Sequence, residues 1–168
     1  MKNTAYISLG SNIGNKTQNI SLAINEIAKS IGEVLKKSSN YISEPWGFNS
    51  SEKFVNAAIS IQTKYSPIEL LKKLQLIEKK MGRIRSQQNG YADRIIDLDI
   101  IYFNNEIVTT IDLKIPHPNL YIRNFVLVPL NEIVPLYIDP SNNKTINELL
   151  ENCSDEISIQ RVLNNNSL

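Results

Sequence analysis

Two aspartates, Asp97 and Asp99, flank Leu98 in the run Ile95-Ile96-Asp97-Leu98-Asp99-Ile100. On a strand, residues two apart share a face, so both carboxylates project together while Ile96, Leu98 and Ile100 turn to the core. Adjacent carboxylates repel and are desolvated unless a cation lies between them. Mg²⁺ suits that place, because it prefers hard oxygens and bridges carboxylates to nucleotide phosphates. A bare pair of this kind is equally compatible with solvated aspartates on an exposed strand. The arginines tilt the balance. Of the five in the chain, Arg83, Arg85 and Arg94 lie just upstream, and Arg123 follows the single histidine, His117. A guanidinium grips phosphate oxygens as a flat fork, whereas lysine is a mobile point charge. Together these groups describe a polyphosphate site, with ordinary surface salt bridges as the competing account.

Other residues could read the rest of a substrate. Gln75 and Glu78, three apart on a helix, are expected at least partly opposite Leu74 and Ile77. There they would be solvated, or would contact a ribose or adenine. Phe54 and Asn56 offer an aromatic plane beside an amide that can both donate and accept, which suits a flat heterocycle. An edge phenylalanine also packs for its own sake. His117, held between Pro116 and Pro118, could donate to a phosphate. The run Gly10-Ser11-Asn12-Ile13-Gly14-Asn15-Lys16-Thr17 imitates a P-loop, but three residues separate its glycines instead of four, and Asn15 precedes the lysine. It reads as a turn and a helix start.

The elements that must position these groups follow from periodicity. A first strand spans Thr4 to Leu9. A helix follows with Ile20, Ala23, Ile24, Ile27 and Ile31 on one face, stopped by Gly32. Val34 to Ile42 reads as one weaker strand. Phe54 to Gln62 alternates, with Val55, Ala57, Ile59 and Ile61 inward and Phe54 and Asn56 outward. Ser66-Pro67-Ile68-Glu69 is a capping box with proline at the first helical position. The helix it opens buries Leu70, Leu74, Ile77 and Met81 and ends at Gly82. Ile95 to Phe103 forms a strand, and Asn104-Asn105 suggests a hairpin into Glu106-Ile107-Val108. A further helix is expected around Leu127 to Ile133, with a frayed tail from about residue 164. The order implies an α+β sandwich, an antiparallel sheet with helices on one face, in a single domain over residues 1–168.

Composition bounds the partners. The 168 residues carry a net charge of +1, which argues against a broad nucleic-acid surface. The single cysteine, Cys153, cannot form an internal disulfide. No apolar run approaches the ~18 residues that a membrane span requires, and the apolar start is too short for a signal peptide. The expectation is a cytoplasmic, soluble monomer with no nucleic-acid or membrane partner.

Seven stretches in order carry a resemblance: AYISLGSNIG (5–14), SEPWGF with FVNAA (43–48, 54–58), IEKKMGRIR (77–85), DRIIDLDI (93–100), IPHP (115–118) and RNFVLVPLNEI (123–133). Jointly they resemble the 6-hydroxymethyl-7,8-dihydropterin pyrophosphokinases. The resemblance implies a ferredoxin-like fold. It also implies transfer of ATP's terminal diphosphate to the pterin's hydroxymethyl oxygen, leaving AMP, on the route to folate. It makes Asp97 and Asp99 the ligands of two Mg²⁺ ions, Asn56 the pterin-reading amide, and Phe54 with Phe125 an aromatic sandwich. Ser43, Glu44 and Trp46 fall on the loop lining that pocket. Gln75, Glu78, Arg85, Arg94, Ile100, His117 and Arg123 fall on the nucleotide side, and Arg83 and Arg85 on catalytic arginines.

Residues 86–93 lack the arginine and tryptophan that some members carry, and Asp112 and Lys114 depart from the family's nucleotide contacts. The loop from Arg83 to Asp93 is expected to be open without ligands and closed when both are bound. Asp97 is the one candidate for a general base. The competing class is an RNA-binding module that stacks bases on exposed sheet aromatics. A homologue that keeps the fold without catalysis is disfavoured by the presence of both aspartates and the key arginines.

Overall fold

In the computed structural model, residues 2–83 and 92–163 are described. The expectations for Arg85, for the loop over 84–91 and for the tail from 164 lie outside them. The chain runs β1 (Asn3–Ser11), α1 (Lys16–Ser30), β2 (Gly32–Lys37), β3 (Tyr41–Ser43), β4 (Phe54–Thr63), α2 (Pro67–Lys80) and β5 (Asp97–Phe103). There follow β6 (Val108–Thr109), β7 (Lys114–Ile115), a 3-10 turn at Leu120–Ile122, α3 (Asn124–Ile133), α4 (Ile146–Glu151) and β8 (Ile159–Arg161). The main sheet is ordered β5-β1-β4-β3-β8, with β2 beside the other half of β4. All its pairings are antiparallel.

Local chemistry sets the helix ends. Asn15 caps α1 by accepting from the Gln18 N–H, and the Ser66–Glu69 capping box opens α2 as its sequence requires. At the other end of α2, Gly82 takes φ +93°, which glycine adopts without steric cost. The Gly82 N–H then donates to Lys79 C=O and the Arg83 N–H to Glu78 C=O. This reversal lays Arg83 back over the end of the helix.

Helices cover both faces of the sheet, where the sequence implied one. α1 and α2 bury Ile20, Ala23, Ile27, Leu70, Leu74 and Ile77 against Ile7, Leu9, Ala57 and Ile59. On the opposite face α3 and α4 bury Val126, Leu127, Leu130 and Leu149 against Ala58, Ile101 and Tyr102. On that side of β4, Phe54 and Asn56, expected to turn outward, are buried, as are Ala58 and Ser60.

Two other expectations change. The single strand over 34–42 divides into β2 and β3, because the Ser38 N–H donates to Ala58 C=O and the Ala58 N–H donates to Ser38 Oγ, both at 2.9 Å. A side-chain oxygen there replaces the strand's own carbonyl. The hairpin at Asn104 does not return along β5. The turn is present, with Asn104 at φ +46°, but β6 pairs with β7, and Ile107 stays exposed.

Candidate active site

The register of three strands assembles the floor. Gly10 of β1 lies opposite Asn56 of β4 on one side and Asp97 of β5 on the other, and Ser8 lies opposite Asp99. Alternation therefore brings Phe54, Asn56, Ser8, Gly10, Asp97 and Asp99 to one face at one end of the sheet. A Cβ on Gly10 would stand 3.4 Å from Asn56 Oδ1 and 3.7 Å from Phe54 Cδ1. Glycine there keeps the floor open.

Above this floor is a cleft. Every substrate-side residue drawn from the sequence lines it: Ser43, Glu44, Trp46, Phe54, Asn56 and Phe125, together with Arg94, Arg123, Asp97 and Asp99. The Asn56 amide is already oriented, donating to Ser43 Oγ at 2.9 Å. A second cleft lies beyond β5 and holds three of the residues expected on the nucleotide side, Gln75, Ile100 and His117. Asp99 lines both clefts.

Glu78 departs from its expected place. It follows Leu74 by one helical repeat and is buried with it, 1% exposed, so it is not the solvated residue that was one of its two expected readings. Its Oε1 accepts the Leu98 N–H at 2.8 Å and pairs with Arg83. β5 is an edge strand, and Leu98 is the residue between the two aspartates. Glu78 thus satisfies an edge donor that the ladder leaves open and fixes the strand between the two aspartates.

Arg83 also pairs with Asp97 Oδ1, and Arg94 Nη1 donates to Asp97 Oδ2 at 2.7 Å. Both oxygens of Asp97 are thereby engaged by arginines, which argues against its part as a general base. Among the described residues no arginine pairs with Asp99 in this way. Burial and the neighbouring carboxylates of Asp97 and Glu78 push it up to about 7, against the opposing pull of Arg123 and Arg83. A desolvated carboxylate beside another is a site that calls for a cation.

Arg123, 6% exposed, stands over the Trp46 ring. His117 accepts the Asn119 N–H on Nδ1 at 3.2 Å, and burial with the nearby Arg123 lowers it to about 4. It is a neutral imidazole whose proton sits on Nε2, able to donate. Sequence reasoning passed over Ser8, Gly10 and Phe48 as lining residues. Phe48 could have been found from its place in the Trp46 loop, but Ser8 and Gly10 are visible only once the register is known.

Solved structures define the class. The fold matches Plasmodium falciparum HPPK-DHPS with a TM-score of 0.74 and 17% identity, over 90% of this chain and 44% of that one. A structure of HPPK-DHPS in complex with substrates matches with a TM-score of 0.72. This is the ferredoxin-like α+β sandwich of the HPPK domain. The chain belongs to the 7,8-dihydro-6-hydroxymethylpterin-pyrophosphokinase family, whose profile matches residues 6–135. The 2-amino-4-hydroxy-6-hydroxymethyldihydropteridine pyrophosphokinase of Haemophilus influenzae is 39% identical over 94% of this chain and 97% of its own length. The Bacillus subtilis protein of the same name is 42% identical over 79% of each. The folic acid synthesis protein FOL1 of Dictyostelium discoideum is 38% identical over 95% of this chain, which spans only 24% of that longer protein. No helix among the described residues is long and apolar enough to cross a membrane.

Proposed function

We propose that the two clefts and the aspartates between them perform the family's reaction with Mg²⁺ held at Asp97 and Asp99. The chain transfers the terminal diphosphate of ATP to the hydroxymethyl oxygen of 6-hydroxymethyl-7,8-dihydropterin, giving the pterin diphosphate and AMP in folate biosynthesis. The observation that carries this reading is the position of Asp99 on both clefts at once. A group transferred between two ligands must pass where their sites meet.

The donor set fits a hard divalent cation. Two carboxylates converge, while no group of three or more candidate metal ligands occurs among the described residues. Phosphate oxygens and water would complete the coordination, as Mg²⁺ prefers. Two such ions, when bound, would neutralise charge on the phosphates during transfer. The chain's own residues do the rest. Phe54 and Phe125 enclose the pterin plane, and Asn56, held by Ser43, reads its edge. Gln75, Ile100 and His117 receive the nucleotide. Arg83 and Arg94 neutralise Asp97 in the ligand-free protein and exchange it for phosphate oxygens when ATP arrives. Both clefts are built from one chain, so a single copy suffices as the catalytic unit. An RNA-binding sheet is disfavoured, because the face that would stack bases lies partly under α3 and α4.

Incubation with ATP, Mg²⁺ and the hydroxymethyl-dihydropterin, followed by assay for AMP, tests the activity. Asp97→Asn and Asp99→Asn should each lower turnover on the order of 100-fold or more, with the fold retained. Near-wild-type turnover in both at limiting Mg²⁺ would remove the metal assignment.

A further inference from the structure

The Gly10–Thr17 run is not a phosphate loop, yet its Asn12 is fully buried and tied to a distant segment. Its Oδ1 accepts the Arg94 N–H at 2.7 Å, and its Nδ2 donates to Asp93 Oδ1 at 2.6 Å. Its own N–H donates to Arg94 C=O at 3.1 Å. One residue therefore closes three hydrogen bonds on two neighbours, across 81 and 82 positions of sequence. Asn12 is itself held from behind, since Asn19 of α1 donates to Ser11 Oγ at 3.1 Å and to Ile13 C=O at 2.9 Å.

The clamp falls on Arg94, whose guanidinium reaches Asp97 and stands 5.7 Å from the Phe54 ring centroid. An arginine side chain is long and loses much rotamer freedom when fixed. Anchoring its backbone on both sides shortens the free arm to the side chain alone. We propose that Asn12 is a positioning residue that aims Arg94 at Asp97 on the floor of the first cleft, so that the turn after β1 serves catalysis without touching substrate. The catalytic part of this inference rests on the pyrophosphokinase reading; the clamp itself does not.

Asn12→Asp places a carboxylate against Asp93 and should lower kcat about tenfold to a hundredfold, the scale expected for misplacing a group at the reacting centre. The pterin affinity measured by calorimetry should stay at the wild-type value. The double variant Asn12→Asp with Asp93→Asn reverses donor and acceptor, and should regain most of the lost kcat. Asp93→Ala, a change at an exposed residue, gives a milder version of the same loss should the Asn12 variants fold poorly. Exchange of the Arg94 amide, read by NMR, should be faster in Asn12→Asp than in wild type and slow again in the double variant. That readout needs no turnover, so it separates failure of the clamp from failure of the catalytic assignment. Wild-type kcat in folded Asn12→Asp or Asp93→Ala, or no recovery in the double variant at wild-type Tm, would overturn the proposal.

Discussion

The guanidinium carbon of Arg123 stands 4.6 Å from the centroid of the Trp46 ring, with the Phe125 ring 5.6 Å away on the same cleft. Trp46 lines the first cleft, whereas Arg123 acts electrostatically on both Asp99 and His117. A cation over an aromatic face gains roughly 0.5–2 kcal/mol, more where water is excluded. Trp46→Leu should weaken binding of a non-hydrolysable ATP analogue by a similar amount, and Trp46→Phe by less. Trp46 is the chain's single tryptophan, so its emission reports the contact directly. Emission should change when the analogue is added without pterin, and that response should vanish in Arg123→Ala. A silent wild-type titration with full affinity in Trp46→Leu would sink the idea.

The floor proposed to hold the pterin gives a paired test. Asn56→Ala removes an amide whose donor end is already committed to Ser43, and should weaken pterin binding by roughly 1–3 kcal/mol by leaving ligand polar groups unmatched. Gly10→Ala should act at the same place by a different means, since its methyl would stand 3.4 Å from Asn56 Oδ1. Calorimetry with a pterin analogue should show both losses, with ATP-analogue affinity unchanged. Equal pterin affinity in all three proteins would refute the assignment of this floor.

Much of this arrangement was legible in sequence. The period-two alternation of Asp97, Leu98, Asp99 and Ile100 survives unchanged in β5, and the capping box of α2 forms as written. Both signals are local, and a local rule decides them. Glu78 was misread because its charge suggested solvent, although its spacing from Leu74 placed it on the buried stripe. What buries it is an edge N–H on a strand twenty residues away. The covered second face of β4 was hidden for a related reason. Asn56, Ala58 and Ser60 are small or polar, and only the later helix α3 shows that they face a packed layer. Asn12 was set aside with a motif it only imitates, since its partners lie 81 and 82 residues along the chain.

His117 offers a pH test with a definite sign. Its folded value of about 4 lies below its ordinary 6.5, through burial first and Arg123 second, with Asp97 opposing. The unfolded chain therefore binds the extra proton between those two values. This residue's contribution to stability is full above pH 6.5 and is lost as the pH falls toward 4. The ring resonance of the sole histidine should show no titration in NMR between about pH 8 and 5. His117→Asn should have a flatter fall in Tm over the acid range. A midpoint near the ordinary histidine value would show that the ring is solvated and would remove the neutral-donor role.

Asp139 predicts a loss of stability with no loss of chemistry. It is fully buried, yet each of its oxygens is satisfied. Oδ2 accepts from Tyr102 at 2.7 Å and Tyr121 at 2.8 Å, and Oδ1 accepts the Ser141 and Asn142 N–H groups at 2.7 and 3.1 Å. Burial and this carboxylate push Tyr121 up to about 12, and raise Tyr102 as well, so both stay protonated donors. Tyr102 lies on β5, three residues beyond Asp99, on the face packed by α3 and α4. The network thus ties the segment after α3 to the far end of β5. Asp139→Asn replaces an acceptor by an amide whose N–H groups would meet donors, and should cost roughly 1–3 kcal/mol. For a chain of this size that is about 2–4 °C in Tm per kcal/mol. Tyr102→Phe should cost less, because the other three donors remain. Thermal unfolding and turnover of the folded fraction, measured on the same samples, decide the matter. The expected result is a lower Tm at unchanged kcat. A fall in kcat at wild-type Tm would instead make the network part of the site.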